Sequence, residues 1–117
     1  MTEIPCYIYV LTDEQSGFPV YVGATDDPTK RYDGHRWARA KGGKNVGMVI
    51  VEKVVDPYKA GDVELEWISY FEFIGAKLEN KSRRSYSYHG LDAVKRFNWR
   101  RSAGFHGTTF SINSIIF

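Results

Sequence analysis

An α+β fold is predicted for this chain: a small, three-stranded, largely antiparallel sheet flanked by helices in the order β-β-α-β-α, with a basic C-terminal extension. Three observations predict it. Two short apolar runs lie a hairpin's distance apart near the start, helical and β-branched stretches alternate after them, and positive charge collects beyond residue 80.

The first strand is expected at Cys6-Tyr7-Ile8-Tyr9-Val10-Leu11, an apolar and aromatic run closed by turn-prone residues from Asp13 to Gly17. Phe18 to Gly23 is the second, reached through a loop short enough for an antiparallel hairpin. From Pro28 to about Lys41 the composition turns to Lys, Arg, Trp and Ala. Thr25, Asp26 and Asp27 are available as caps there, and Pro28 suits a first helical turn. Gly42 and Gly43 break this helix. Met48 to Val55 then fits a third, central strand, ended by Asp56-Pro57. Asp62 is the expected N-cap of a second helix, in which Val63, Trp67, Tyr70, Phe71 and Ile74 share one face. Gly75 stops it, and Lys77 to Asn80 leads away into the tail.

At 117 residues, with 43% hydrophobic and 15% aromatic content, the chain can bury one core and is too short for two ordinary domains. Residues 1–80 form the expected domain. Residues 81–117 are an extension packing on it or continuing it. The lone Cys6 offers neither a disulfide nor a paired-cysteine zinc site. The opening residues lack a signal-peptide pattern and no run approaches membrane-spanning length, so a cytoplasmic protein without a membrane partner is expected. Residues 1–80 carry 9 Lys and Arg against 13 Asp and Glu, whereas residues 81–117 carry 7 against Asp92 alone. An acidic body with a basic tail fits a polyanionic partner, nucleic acid above all; a solvated basic surface fits the charge equally well.

Candidate chemistry collects in the first 80 positions. Tyr9 and Tyr21 fall near the ends of the two hairpin strands and can come side by side, and Gly23, lacking a Cβ, admits close approach of a substrate backbone. Alone, two such tyrosines are an ordinary packing pair. Arg31 and His35, four apart on a helix, share a face and can clamp a phosphate; alone, such a pair is an ordinary solvated surface pair. Glu64 borders the apolar face of the second helix, where a half-buried carboxylate suits Mg²⁺ or simply keeps its head wet; Glu66 borders the opposite side.

Together these residues resemble the GIY-YIG nuclease family. Its two signature tripeptides correspond to Tyr7-Ile8-Tyr9 and Tyr21-Val22-Gly23, with Tyr7 in place of the first glycine. Arg31 and His35 follow at the family's spacing, then Glu64-Leu65-Glu66-Trp67-Ile68, then the asparagine Asn80. The match spans residues 6 to 80.

The resemblance implies a divalent-metal-dependent DNA endonuclease, phage-like or from a mobile element and so at work in a host cytoplasm, with no small-molecule cofactor. The alternative is an inactive nucleic-acid-binding module of the same fold. Anchoring on Trp67-Ile68 selects Glu64 as the ligand of Mg²⁺ or Mn²⁺, with Glu66 as fallback. Tyr9 takes the proton from the attacking water, its phenolate favoured by Arg31 and the metal. Tyr21 positions water or phosphate, and Asn80 orients the arrangement. His35 hydrogen-bonds Tyr9 or binds phosphate. For the further histidine or lysine that some members carry, either Lys41 or Lys44 supplies the role or it is absent. Beyond the shared module, Arg83, Arg84, Lys95, Arg96, Arg100 and Arg101 are expected to contact DNA phosphates.

Overall fold

The computed structural model describes residues 4–80 together with Asn98 and Trp99. It contains β1 (Cys6–Asp13), β2 (Pro19–Thr25), α1 (Pro28–Ala40), β3 (Val46–Val54), a 3-10 turn (Pro57–Lys59) and α2 (Ala60–Phe73). The expected β-β-α-β-α order and α+β class are present. None of the described helices is long and apolar enough to cross a membrane.

The strands form one antiparallel sheet in the order β2-β1-β3. The central strand is therefore β1, and the expectation that β3 would be central is corrected. The physical reason lies in burial. Ile8, Tyr9, Val10 and Leu11 are all buried in succession, which requires cover on both faces. In β3, by contrast, only Val46, Val49, Val51 and Val54 are buried.

The two faces differ. Ile8, Val10, Val22, Val49 and Val51 pack with Trp67, Ile68, Tyr70 and Phe71 of α2 into the main core. Trp67 is fully buried, and its indole N–H donates to Glu52 Oε1 at 2.8 Å, which satisfies its polar atom inside that core. The opposite face holds a smaller cluster of Tyr9, Leu11 and Val46, with Tyr21, Val20, Met48 and Ile50 against it.

Local chemistry sets the boundaries. Asp27 caps α1 by accepting the Lys30 N–H at 3.2 Å, and Pro28 opens its first turn. Asp62 proves not to be the N-cap of α2. It lies within the first turn, because Asp56 starts the helical path earlier. The Asp56 carboxylate accepts the Tyr58 N–H and its carbonyl accepts the Lys59 N–H, both at 3.0 Å, so the 3-10 turn runs directly into Ala60. Gly75, at φ 108°, ends α2 as expected. The segment after it does not lead away. It doubles back along the free edge of β2, where the Glu79 N–H donates to Val20 O at 2.7 Å and Leu78 enters the core.

Candidate active site

The site lies on the α1 face of the sheet. Tyr9 stands opposite Gly23 in the β1–β2 register and Tyr21 opposite Leu11, so the two tyrosines are diagonal neighbours, with ring centroids 6.3 Å apart. Tyr9 is only 1% exposed. A Cβ at Gly23 would collide with the Tyr9 phenol, whose Cε1 is 2.8 Å from that position and whose Cζ and Oη are closer still. The glycine therefore makes room for the Tyr9 ring. Gly23 itself is buried, so that ring, and not a substrate backbone, fills the space where a Cβ would stand.

His35, on the inner side of α1, meets both rings at centroid distances of 5.6 Å and 5.2 Å. Its Nε2 is 2.8 Å from Tyr9 Oη and its Nδ1 is 3.0 Å from Arg39 Nη1. Both ring nitrogens are engaged within the protein. This favours the Tyr9 hydrogen bond over direct phosphate binding, the choice left open by the sequence.

Sequence reasoning missed Arg39. It continues the helix ladder Arg31, His35, Arg39 at four-residue steps, a signal present in the sequence. Its guanidinium also donates to Glu79 Oε1 at 2.8 Å and lies over the Tyr21 ring at 5.7 Å. Arg39 thus stands where a further cation was sought from Lys41 or Lys44. Lys41 instead packs its ammonium over the exposed Trp37 ring at 4.0 Å, and Lys44 lines a separate groove with Arg36 and Trp37. Arg31 is exposed, its guanidinium forms no hydrogen bond or ion pair with a described residue, and it is close enough to act electrostatically on Tyr9 and His35. Beside it a cleft of about 520 Å³ opens between Thr25–Asp27 and the first turns of α1, with His35 in its wall.

Asn80 is buried and joins the site through the backbone. Its Oδ1 accepts the Val22 N–H at 3.1 Å and its Nδ2 donates to Val22 O at 2.8 Å. The amide thus replaces a neighbouring strand along the edge of β2, between Tyr21 and Gly23.

The electrostatics follow from burial. The Tyr9 phenol is pushed up to about 12, first by burial, then by Tyr21 and Glu64, against the opposing pull of Arg31 and Arg39. The expected gain from Arg31 is present and is outweighed. Burial, with help from Arg39 and Arg31, holds His35 below the usual imidazole range, and Glu79 opposes them. Burial also raises the half-buried Glu64 carboxyl, which forms no hydrogen bond or ion pair with a described residue. Glu64 therefore shares the electrostatic neighbourhood of Tyr9 from the other helix. Among the described residues no three His, Cys, Asp or Glu side chains cluster as a metal cage. Arg83, Arg84, Lys95, Arg96, Arg100 and Arg101 lie outside the described residues.

Compared with known proteins, the chain matches no family model, no curated protein and no solved structure.

Proposed function

We propose that this chain is a divalent-metal-dependent DNA endonuclease of the GIY-YIG type, hydrolysing phosphodiester bonds. The observation that carries the reading is the Tyr9–His35 hydrogen bond with the Tyr21 ring beside it and Arg31 at its open side. These are residues that the GIY-YIG resemblance singles out, and they come together from β1, β2 and α1, with Arg31 and His35 lining an open cleft.

Glu64 suits the metal. A half-buried carboxyl raised by burial and without a cationic partner among the described residues gains from a divalent cation, and Mg²⁺ is commonly held by one or two carboxylates with water and phosphate oxygens. When bound, such an ion supplies positive charge to the phosphate and offsets the Glu64 charge that raises Tyr9.

The chain's own groups then divide the work. Arg31 holds the phosphate and stabilises its developing charge. Tyr9, as phenolate, accepts the proton of the attacking water, while Tyr21 orients water or phosphate. Asn80 fixes the β2 edge that carries Tyr21. Lys41, Lys44 and the basic residues beyond position 80 contact the DNA backbone.

One observation favours the inactive binding module instead. A phenol held near 12 is a poor base at neutral pH. Supercoiled plasmid separates the two readings when incubated with Mg²⁺, Mn²⁺ or EDTA beside Glu64→Gln and Glu66→Gln variants. Metal-dependent nicking that only Glu64→Gln abolishes supports the nuclease and the choice of glutamate. Loss only in Glu66→Gln moves the ligand to Glu66. Binding without cleavage of plasmid, single-stranded or branched DNA leaves the binding module.

A further inference from the structure

We propose that Arg39, itself held by Glu79, fixes His35 in its Nε2–H tautomer, making it a hydrogen-bond donor to the Tyr9 oxygen and making Arg39 and Glu79 positioning residues of the site. The tautomer stands on geometry alone; its effect on catalysis rests on the nuclease reading.

A guanidinium carries donors and no acceptor, so the 3.0 Å contact between Arg39 Nη1 and His35 Nδ1 requires a bare Nδ1. A neutral imidazole has one N–H, which must then be on Nε2. That nitrogen is 2.8 Å from Tyr9 Oη, so His35 donates and Tyr9 accepts. The other states fail. An Nδ1–H tautomer sets two donors against each other at Arg39, and an imidazolium does the same while adding a third positive charge beside Arg31 and Arg39. Tautomer selection by the partner of the second ring nitrogen is a general device of histidine sites.

Arg39 is well placed to impose this. Its side chain is 16% exposed, held by Glu79 Oε1 at 2.8 Å and stacked over Tyr21. Glu79 is fixed in turn, since its backbone N–H donates to Val20 O at 2.7 Å, one residue before Tyr21. The chain of contacts runs from the β2 edge through Glu79, Arg39 and His35 to Tyr9.

The consequence is specific. With Nε2 already protonated, His35 has no lone pair facing Tyr9 and does not collect its proton. The Tyr9 O–H points away from His35, and a phenolate formed there keeps the N–H as a partner. Deprotonation of Tyr9 therefore does not deliver its proton to His35. The charged and titratable groups around the imidazole are Tyr9 on β1, Tyr21 on β2, Arg31 and Arg39 on α1, and Glu79.

The test is heteronuclear NMR of the imidazole nitrogens in the full chain without DNA, with His35 assigned by comparison with His35→Gln. Wild type is expected to show a protonated Nε2 and a bare Nδ1 at neutral pH. Arg39→Met gives a tautomer mixture and a His35 titration at higher pH, whereas Arg39→Lys and Glu79→Gln, which keep a donor at Nδ1, retain the Nε2–H form. A predominant Nδ1–H tautomer or an imidazolium in the wild type at neutral pH overturns the proposal, whatever the protein does to DNA. In cleavage assays, Arg39→Met lowers kcat by about 10- to 100-fold with KM little changed, the size of effect that loss of the supporting hydrogen bond has at metal-ligating histidines. Arg39→Lys recovers most of this. A kcat equal to wild type across pH in Arg39→Met, once its tautomer is mixed, overturns the positioning role.

Discussion

Replacing Gly23 by alanine tests the packing that defines the site. The added methyl lands on the Tyr9 phenol, with Cε1 at 2.8 Å and the two atoms beyond it closer. Carbon atoms in ordinary contact stand about 3.5–4.0 Å apart, so the ring must retreat by about 1 Å. Tyr9 is 1% exposed and enclosed by Tyr21, His35 and the sheet, so this retreat strains its surroundings. Overpacking of this kind costs about 1–3 kcal/mol. Lengthening the 2.8 Å bond to His35 adds about 1 kcal/mol more. For a domain of this size a total of about 2–4 kcal/mol lowers Tm by about 10–20 °C. On the proposed nuclease reading, cleavage falls by about 100-fold or more, since a misplacement of about 1 Å at a reacting group has that effect. Thermal denaturation and plasmid nicking measure the two. The decisive control is a double-mutant cycle with Tyr9→Leu, because leucine has no atoms where the far end of the phenol lies. In that background Gly23→Ala is expected to cost less than about 0.5 kcal/mol. An equal loss in both backgrounds, or an undiminished Gly23→Ala protein, refutes the account of Gly23 as the space for Tyr9.

Asn80→Ala strips the Val22 N–H and C=O of their buried partner and is expected to cost about 2–4 kcal/mol in urea denaturation; a cost below about 0.5 kcal/mol would mean that water replaces the amide freely. Tyr9 ionises about two pH units later when folded than its ordinary value of 10.0. Its contribution to stability is therefore fully present below about pH 10 and lost as pH rises through about 12, an order of 2–3 kcal/mol. Urea titrations across alkaline pH should show this loss flattened in Tyr9→Phe, and an identical alkaline slope in that variant contradicts it. Trp67→Phe removes the donor to Glu52 Oε1 and should cost about 1–2 kcal/mol by chemical denaturation, with any cleavage on the proposed nuclease reading unchanged. In hydrogen exchange, Tyr9→Phe should speed exchange of α1 amides while leaving α2 amides protected; uniform acceleration would point to global destabilisation instead.

Much of this arrangement was legible in the sequence, for identifiable reasons. Strand runs, the Asp27–Pro28 helix start and the Gly75 stop are local chemistry, written within a few residues, and each appears where the pattern put it, give or take two residues. The Arg31/His35 pair followed from helical spacing. The same spacing extended one more step would have reached Arg39. Strand order was not legible, because β1 and β3 are comparably apolar and only burial on both faces separates them. The role of Gly23 depends on which residue stands opposite it in the register. Asn80 and Glu79 act through a chain that doubles back across 58 and 40 positions, and no local pattern encodes such a return.

The two helices are held by different physics. Helix α2 buries Trp67, Ile68, Tyr70 and Phe71 in the main core, so its place depends on apolar packing away from the chemistry. Helix α1 buries no residue fully. Its inner face is tied down by polar contacts: the Tyr32 hydroxyl donating to Val46 O at 3.0 Å, His35 to Tyr9, and Arg39 to Glu79. Two of these three contacts are the site itself. Docking of α1 and assembly of the Tyr9–His35–Arg39 chain are therefore largely one event, whereas Glu64 is presented from a scaffold that does not depend on it. Any ligand that draws on Tyr9 or His35 acts directly on the position of α1, and a variant that loosens α1 disturbs Arg31, His35 and Arg39 together while leaving the carboxylate of Glu64 in place.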